Sequence, residues 1–577
     1  MASKRAPALS PKAGPKDPQR SRFSMSALER HATVIAFLLV LFASARIIAT
    51  YTVFNHTSDE PNHIACGMEW IQNGTYTFET QHPPLARVAV ALGPYLIGAR
   101  VRSKPAPDSL DVPIEGLQIL SRDHRYDLTL ALARLGVLPF FWLACATVYW
   151  WARRYHGPRV ALAALFFFTF TPPVLAHAGL ATTDMPLTAC LGASIVAAFV
   201  WIEKPTLVHA ALIGLFSGLA VISKLSSLPF FPACLGFALL FYIAYERPSL
   251  DSVLAGAKRA IPSLGVSFLV AATVIWAGFR FSFGKFSPTS FRIPAPELVT
   301  GIQAVMNHNQ IGHLTYFFGQ YSLSGFWYYF PVVLAIKTPL ALVFLFLLGL
   351  FLSLRKGERS AHVWEPLGLI TGILAVGFYS RINIGVRHIL PIYMGISLLA
   401  AIGATRLPKL FKGRWPGVVL AGLVLWLAGS SLLAHPDYLP YFNELAGNQP
   451  EKILVDSDLD WGQDAKRLAK RLRELGATQV AFYPPVMIDL ADLGFPPVIP
   501  EKPFQPAPGW NAVSLTDWKL TRMGVLGLVP KPTIHIVDNA PGRPVWPDLY
   551  PRGEPVGKSI LLWNMAADPS AATSMSR

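Results

Sequence analysis

Eleven apolar runs separated by short polar connections limit what this chain can fold into. They lie at 33–52, 128–150, 160–174, 185–201, 207–222, 228–244, 261–279, 331–352, 366–378, 389–402 and 416–433. A backbone in lipid has no water to bond, so each run can cross only as a helix. Several fall short of the roughly 20 residues that a perpendicular helix needs, which predicts tilted or broken spans. With 52% hydrophobic and 15% charged residues, the chain also departs from the composition of a soluble domain.

The charge pattern supports this reading. Fifty Lys and Arg stand against thirty-four Asp and Glu, a net +16. In a soluble protein that excess points to nucleic acid. Here most of it falls in a basic Pro- and Ser-rich segment, 1–30, and in alternate connections such as "WARRYHGPR" and "TRLPKLFKGRWPG". Basic connections stay in the cytoplasm, so eleven spans starting inside are consistent with the charges and a nucleic-acid partner is not. The first run is long for a signal-peptide core and lacks a small-x-small cleavage site, so it reads as an uncleaved span. Four cysteines show neither metal nor disulfide spacing.

This predicts an α-helical polytopic membrane domain over 31–434, with two long outer loops at 54–127 and 282–330. A tail over 435–577 loses the composition of a span. Its "KILVDSD", "TQVAFYPP", "PTIHIVDN" and "SILLWNM" read as strands and "DAKRLAKRLRELG" as an amphipathic helix, so a small extracytoplasmic α/β domain is expected.

Chemistry-bearing residues gather on the outer side. Asp59 and Glu60 directly follow the first span, where a partly desolvated carboxylate can act as a general base; a helix-capping "TSDE" is the bland alternative. His82 and Arg87 sit at a Pro-Pro helix entry, "QHPPLAR". Asp184 in "TTDMP" is suited to orienting an acceptor or a metal, or to capping a helix ahead of Met185 and Pro186. Lys224, Lys337, Arg134, Arg381, Arg387 and His388 map to outer helix halves and ends. Cations there run against the positive-inside trend, and a phosphate at the outer leaflet satisfies several together; snorkelling explains any single one. His313, Trp327 and Tyr328 lie in an aromatic-dense stretch that forms an interfacial belt or stacks on a sugar or isoprenoid. Asp456, Asp458, Asp460 and Asp464 in the tail bind a cation or an acceptor, or are turn and helix-start acids.

The outer DE pair, "HPPLAR", an early Arg in the second span, "TTDMP", "SKLS", "WYYFPVVLAIKTPL" and "VRHILPIY" together resemble the GT-C membrane glycosyltransferases. The similarity is to bacterial relatives of protein O-mannosyltransferases and lipid A aminoarabinose transferases, over about residues 30 to 435. The resemblance implies an inverting transfer of a sugar from a polyprenyl-phosphate donor to a hydroxyl acceptor in a protein, glycolipid or cell-envelope glycan. It implies a multi-pass enzyme of the bacterial plasma membrane with its active site outside. Asp59 is then the base, Glu60 its support or substitute, and Asp184 an orienting acid. Lys224, Lys337, Arg381, Arg387 and His388 hold the donor phosphate, Arg134 matching an early Arg of the family; His82, Arg87, His313, Trp327 and Tyr328 contact substrate. No cofactor is required, and a divalent metal is compatible. A transporter or flippase of a lipid-linked sugar is the alternative, sharing the outer cations but expected to show inverted repeats and midplane charges.

Overall fold

The computed structural model describes residues 30–285, 291–355, 362–410, 412–525 and 544–565. The basic segment up to residue 29 and the strand expected at "PTIHIVDN" lie outside the described residues.

The architecture is α-helical. Five helices are long and apolar enough to cross a membrane: Tyr126–His156, Asp184–Glu203, Ser227–Glu246, Ala260–Gly278 and Trp415–Leu433. Two bent pairs raise the number to seven: Pro158–Thr169 with Pro172–Ala178, bent by 67°, and Tyr329–Lys337 with Leu340–Leu354, bent by 116°. Both bends fall at prolines. Proline lacks the N–H for the helix ladder and forces the residue before it out of helical geometry, and Thr171 and Thr338 are extended ahead of Pro172 and Pro339. The other runs form helices of 17, 17, 16 and 15 residues, at Ala32–Ile48, Leu207–Ser223, Trp364–Tyr379 and Ile392–Arg406. Each is shorter than the roughly 20 residues of a perpendicular span.

Small residues set how closely these helices cross. Gly368 and Gly372, four apart on Trp364–Tyr379, face Ala238 and Cys234 on Ser227–Glu246; a Cβ added at Gly372 meets the Cys234 Cα at 2.5 Å and one at Gly368 meets the Ala238 Cβ at 2.4 Å. Between apolar helices in lipid, such close approach supplies the packing that a hydrophobic drive supplies in water.

The first long outer segment contributes three helices, Glu60–Asn73, Pro84–Leu96 and Asp111–Ser121. The second contributes the helix Pro296–Ile311 between two antiparallel hairpins, β1 (Phe283–Lys285) with β2 (Arg292–Pro294) and β3 (Thr315–Phe317) with β4 (Gln320–Ser322).

Beyond Leu433 the chain forms a five-stranded mixed sheet. Its strands are β5 (Val480–Ala481), β6 (Val498–Ile499), β7 (Gly509–Ser514), β8 (Glu554–Val556) and β9 (Ile560–Met565), in the order β6-β5-β7-β9-β8. The amphipathic helix Ala465–Glu474 lays Leu468 and Leu472 on Val480, Phe482, Ala512 and Leu562. The expected strand at "KILVDSD" is absent. Leu454 makes one bridge to Phe317, and the chain then turns at Asp456–Asp458, where Asp456 has φ +65° and its carboxylate accepts from the Ser457 N–H. A local aspartate-to-backbone bond competes with the ladder that extended backbone needs.

Gly372→Val is expected to destabilise the protein by about 1–3 kcal/mol, because the added side chain meets backbone rather than a movable tip. Thermal unfolding in detergent, with an exposed-glycine substitution such as Gly422→Val for comparison, checks this.

Candidate active site

The first outer loop is locked by one buried ion pair. Glu60, the first residue of its helix, is fully buried and faces Arg134, with Nε–Oε1 at 2.8 Å and Nη2–Oε2 at 2.9 Å. The Glu60 carboxylate also accepts from the backbone N–H of Ala181 at 2.9 Å and of Thr57 at 2.8 Å. Burial opposes its charge, but Arg134 and these N–H groups outweigh burial and hold the carboxyl below its usual range. Arg134 uses its other donors on the carbonyls of Tyr51, Phe54 and Asn55. This corrects the sequence expectation for both residues. Glu60 is a fully bonded anchor rather than a second base, and Arg134 grips the loop rather than a phosphate.

Asp59, one residue earlier, is left in a different state. Its side chain is 32% exposed and accepts from Arg387 Nη1 at 2.8 Å. Arg387 lies 4.0 Å from the Trp461 ring, and its Nε is buried with no hydrogen-bond partner among the described residues. A second ion pair joins Asp184 Oδ1 to Lys224 Nζ at 2.6 Å. Asp184 opens the helix Asp184–Glu203 but makes no capping bond, and its Oδ2 is buried and unpartnered among the described residues. Lys224 sits at the C-terminus of Leu207–Ser223, where the helix dipole favours a cation.

His82 lies in the field of all four of these charges. Burial first, then Lys224, lowers its pKa to about 4, so it is neutral near pH 7 and hydrogen-bonds the Glu79 carboxylate at 3.2 Å. His388 is likewise kept neutral, by burial and by the nearby Lys224 and Arg387. It can hydrogen-bond a phosphate but adds no charge to hold one.

Two further expected ligands have structural partners. Arg87 is buried and donates to His63 Nδ1, the Tyr76 hydroxyl, the Glu79 carbonyl and the Glu79 carboxylate, which fixes the turn carrying His82. Lys337 is buried, with Nζ donating to the carbonyls of Leu439 at 2.7 Å and Asp458 at 2.6 Å over the Phe442 ring. It clamps the tail instead of facing a donor. Arg381 is exposed and reaches the Gln310 carbonyl at 3.2 Å. Trp327 is 71% exposed beside Phe378, and half-buried Tyr328 packs on Phe317.

The tail enters the site itself. Ser58 N–H bonds the Trp461 carbonyl, and Asn55 donates to Gly462 O at 2.6 Å. A chain of side chains runs from Gln81 to His308 (3.1 Å), to His313 (3.2 Å) and to Asp456 (3.9 Å), joining both outer loops to the tail. Asp458 accepts from the Val386 N–H next to Arg387, while Asp460 and Asp464 accept from Thr516 and Ser559. Three of the four tail acids are thus internal staples, and Asp456 faces His313. Trp461 and Glu79 were not singled out in the sequence. A tryptophan inside the acidic run "DSDLDWGQD" was the available signal for the first.

Among the described residues, one group of three side chains has metal-ligand spacing: Glu203, His362 and Glu365. Glu203 ends the 20-residue helix that Asp184 begins, about 30 Å away.

Removing one partner of the buried lock is expected to be costly. Arg134→Met should destabilise by about 3–5 kcal/mol, whereas Asp59→Asn, at a partly exposed carboxylate whose amide oxygen can still accept from Arg387, should change stability by no more than about 1 kcal/mol; melting in detergent compares the two. Asp456 adds a pH dependence. Burial raises its pKa to about 6 despite Arg387, so between about 4 and 6 the folded state binds the proton that the unfolded state has released. Its contribution to stability therefore falls as pH rises through that window. Asp456→Asn should gain melting temperature over wild type on going from pH 4 to pH 7.

Residues 131–276, which include Arg134, Asp184 and Lys224, match the family described as dolichyl-phosphate-mannose-protein mannosyltransferase. No curated protein sequence matches the chain. Among solved structures, ArnT from Cupriavidus metallidurans in the apo state is 16% identical over 73% of this chain and 68% of that one, with a TM-score of 0.48. The same protein bound to undecaprenyl phosphate is 13% identical over 92% and 98%, with a TM-score of 0.49. The Archaeoglobus fulgidus oligosaccharyltransferase tethered with an acceptor peptide is 13% identical over 71% and 55%, with a TM-score of 0.48. Over residues 131–276, about a quarter of its length, the chain is similar to the dolichyl-phosphate-mannose-protein mannosyltransferase family.

Proposed function

We propose that the protein is an inverting glycosyltransferase that moves a sugar from a polyprenyl-phosphate donor to a hydroxyl acceptor. The acceptor class is a protein Ser or Thr, a glycolipid or a cell-envelope glycan, and the site lies on the outer side of the bacterial plasma membrane in a domain of eleven spans. The observation that carries this reading is the contrast between adjacent carboxylates. Glu60 has its oxygens filled, while Asp59 is partly exposed and bonded to one side-chain cation, Arg387.

In this reading Asp59 accepts the proton of the acceptor hydroxyl. The freed oxygen attacks the anomeric carbon from the face opposite the phosphate, and the bond from that carbon to the phosphate oxygen breaks. Negative charge collects on the departing polyprenyl phosphate. Lys224 and Arg387 then act on the transition state, since each retains donors beyond its carboxylate bond. Asp184 holds Lys224 in place, and neutral His82 and His388 offer hydrogen bonds without competing for the proton. The tail, a small α/β domain, closes one wall through Trp461.

The test is transfer of label from a radiolabelled polyprenyl-phosphate sugar by purified protein. Asp59→Asn should lose at least about a hundredfold in rate, the range of general-base catalysis, with unchanged melting. Full activity in that variant would remove Asp59 from the chemistry. Lys224→Met should depress kcat more than it raises donor KM, because the charge it meets grows only as the phosphate departs.

A further inference from the structure

A second cleft, of about 820 Å³, opens on the face that carries Asp59 and includes none of the site residues above in its lining. One wall is Thr52 and Val53, in the stretch that leads from the first helix to Asp59. A second is the turn ahead of the long helix Tyr126–His156, tied to the first loop by the Tyr126 hydroxyl on the His56 N–H at 2.9 Å. The third is the polar side of Ala465–Glu474, whose leucines are buried against the sheet. The volume is that of a small-ligand site.

Its charge is one-sided. Arg125, Lys466, Arg467, Lys470 and Arg473 line it together with His124, against Asp127 and Asp492. Lys466 pairs with Asp127, and Arg467 with Asp437 and Asp464. Arg473 donates to the carbonyls of Leu493 and Gly494, which shapes the rim. Arg125 and Lys470 are exposed, the latter 4.0 Å from Glu474 in a solvent-screened pair.

The rim identifies the occupant. Exposed Leu128 and half-buried Val53 and Leu493 border the basic wall, and the cleft starts where an apolar helix ends. Apolar edge and basic floor together match the boundary between lipid tails and headgroups. We propose that this cleft binds the phosphate of an anionic phospholipid headgroup, with Arg125 and Lys470 as the principal cations. The proposal is independent of the sugar-transfer reading.

The full chain in neutral detergent is titrated with short-chain phosphatidylglycerol, short-chain phosphatidylcholine and inorganic phosphate, with bound lipid counted by native mass spectrometry. Phosphatidylglycerol should bind saturably and in a salt-sensitive way, and phosphatidylcholine should not. Arg125→Gln with Lys470→Gln should weaken that binding about 25-fold, roughly fivefold per charge, with unchanged melting. Lys104→Gln, outside the cleft, should bind as wild type. Equal binding of the two lipids, or wild-type affinity in the double variant, would overturn the proposal. Inorganic phosphate displacing phosphatidylglycerol at equal concentration would also overturn it, in favour of a soluble phosphate-bearing ligand.

Discussion

The buried pair between Glu60 and Arg134 is the constraint from which the site follows. Two charges removed from water are tolerable only when every oxygen and nitrogen finds a partner. Here the carboxylate takes two donors from the guanidinium and two from backbone, while the guanidinium reaches three carbonyls of the preceding turn. That set joins four pieces of chain: the end of the first helix, the start of the loop helix, the long helix Tyr126–His156, and the turn before Asp184. Because the lock determines where the loop helix begins, it also determines where Asp59 points. The residue that looks like a spare base is what makes its neighbour available.

The tail is built into the same device. Lys337, buried at the bend between two apolar helices, donates to the Asp458 carbonyl, and the Asp458 carboxylate in turn accepts from Val386, one residue before Arg387. Gly385 permits this approach, since a Cβ there would meet Ser457 Oγ at 2.7 Å and its φ is +138°. Trp461 then lies against the Arg387 guanidinium. The cation that bonds Asp59 is therefore positioned from behind by a segment some seventy residues further along the chain. A cleaved or displaced tail would leave Arg387 without its aromatic wall.

The helical membrane class was legible because lipid forces a periodic, charge-poor sequence and leaves exceptions such as Asp59 and Glu60 conspicuous. Broken spans were expected from the shortness of several runs, but their placement at Pro172 and Pro339 came from the structure. Partner choice was not. Asp59 and Glu60 are adjacent acids with the same local propensities, and only the arrival of Arg134 and Ala181 in space separates a base from an anchor. Lys337 resembles a phosphate ligand and Arg87 a substrate ligand by residue type and position, yet Lys337 is closed off by carbonyls from the distant tail and Arg87 by Glu79 of its own loop. "KILVDSD" failed as a strand for a local reason: the Asp456 carboxylate takes the next residue's N–H and turns the chain at a positive φ.

The two ion pairs, Asp59 with Arg387 and Asp184 with Lys224, raise the question of why a base would be held by a cation at all. A guanidinium that donates to Asp59 Oδ2 occupies a lone pair that an incoming hydroxyl proton would use. The obstacle is lifted if the same guanidinium shifts its bonds toward a departing phosphate, because the Asp59 oxygen is then open to the proton. Arg387 has the means for that exchange in its unpartnered Nε, and its stacking on Trp461 lets the plane slide without leaving its support. Lys224 cannot trade in this way, since Asp184 is fully buried and would be left as an uncompensated charge. In the proposed transfer one pair is thus fixed and the other exchangeable: Asp184 and Lys224 would hold charge in place and Asp59 and Arg387 would move it.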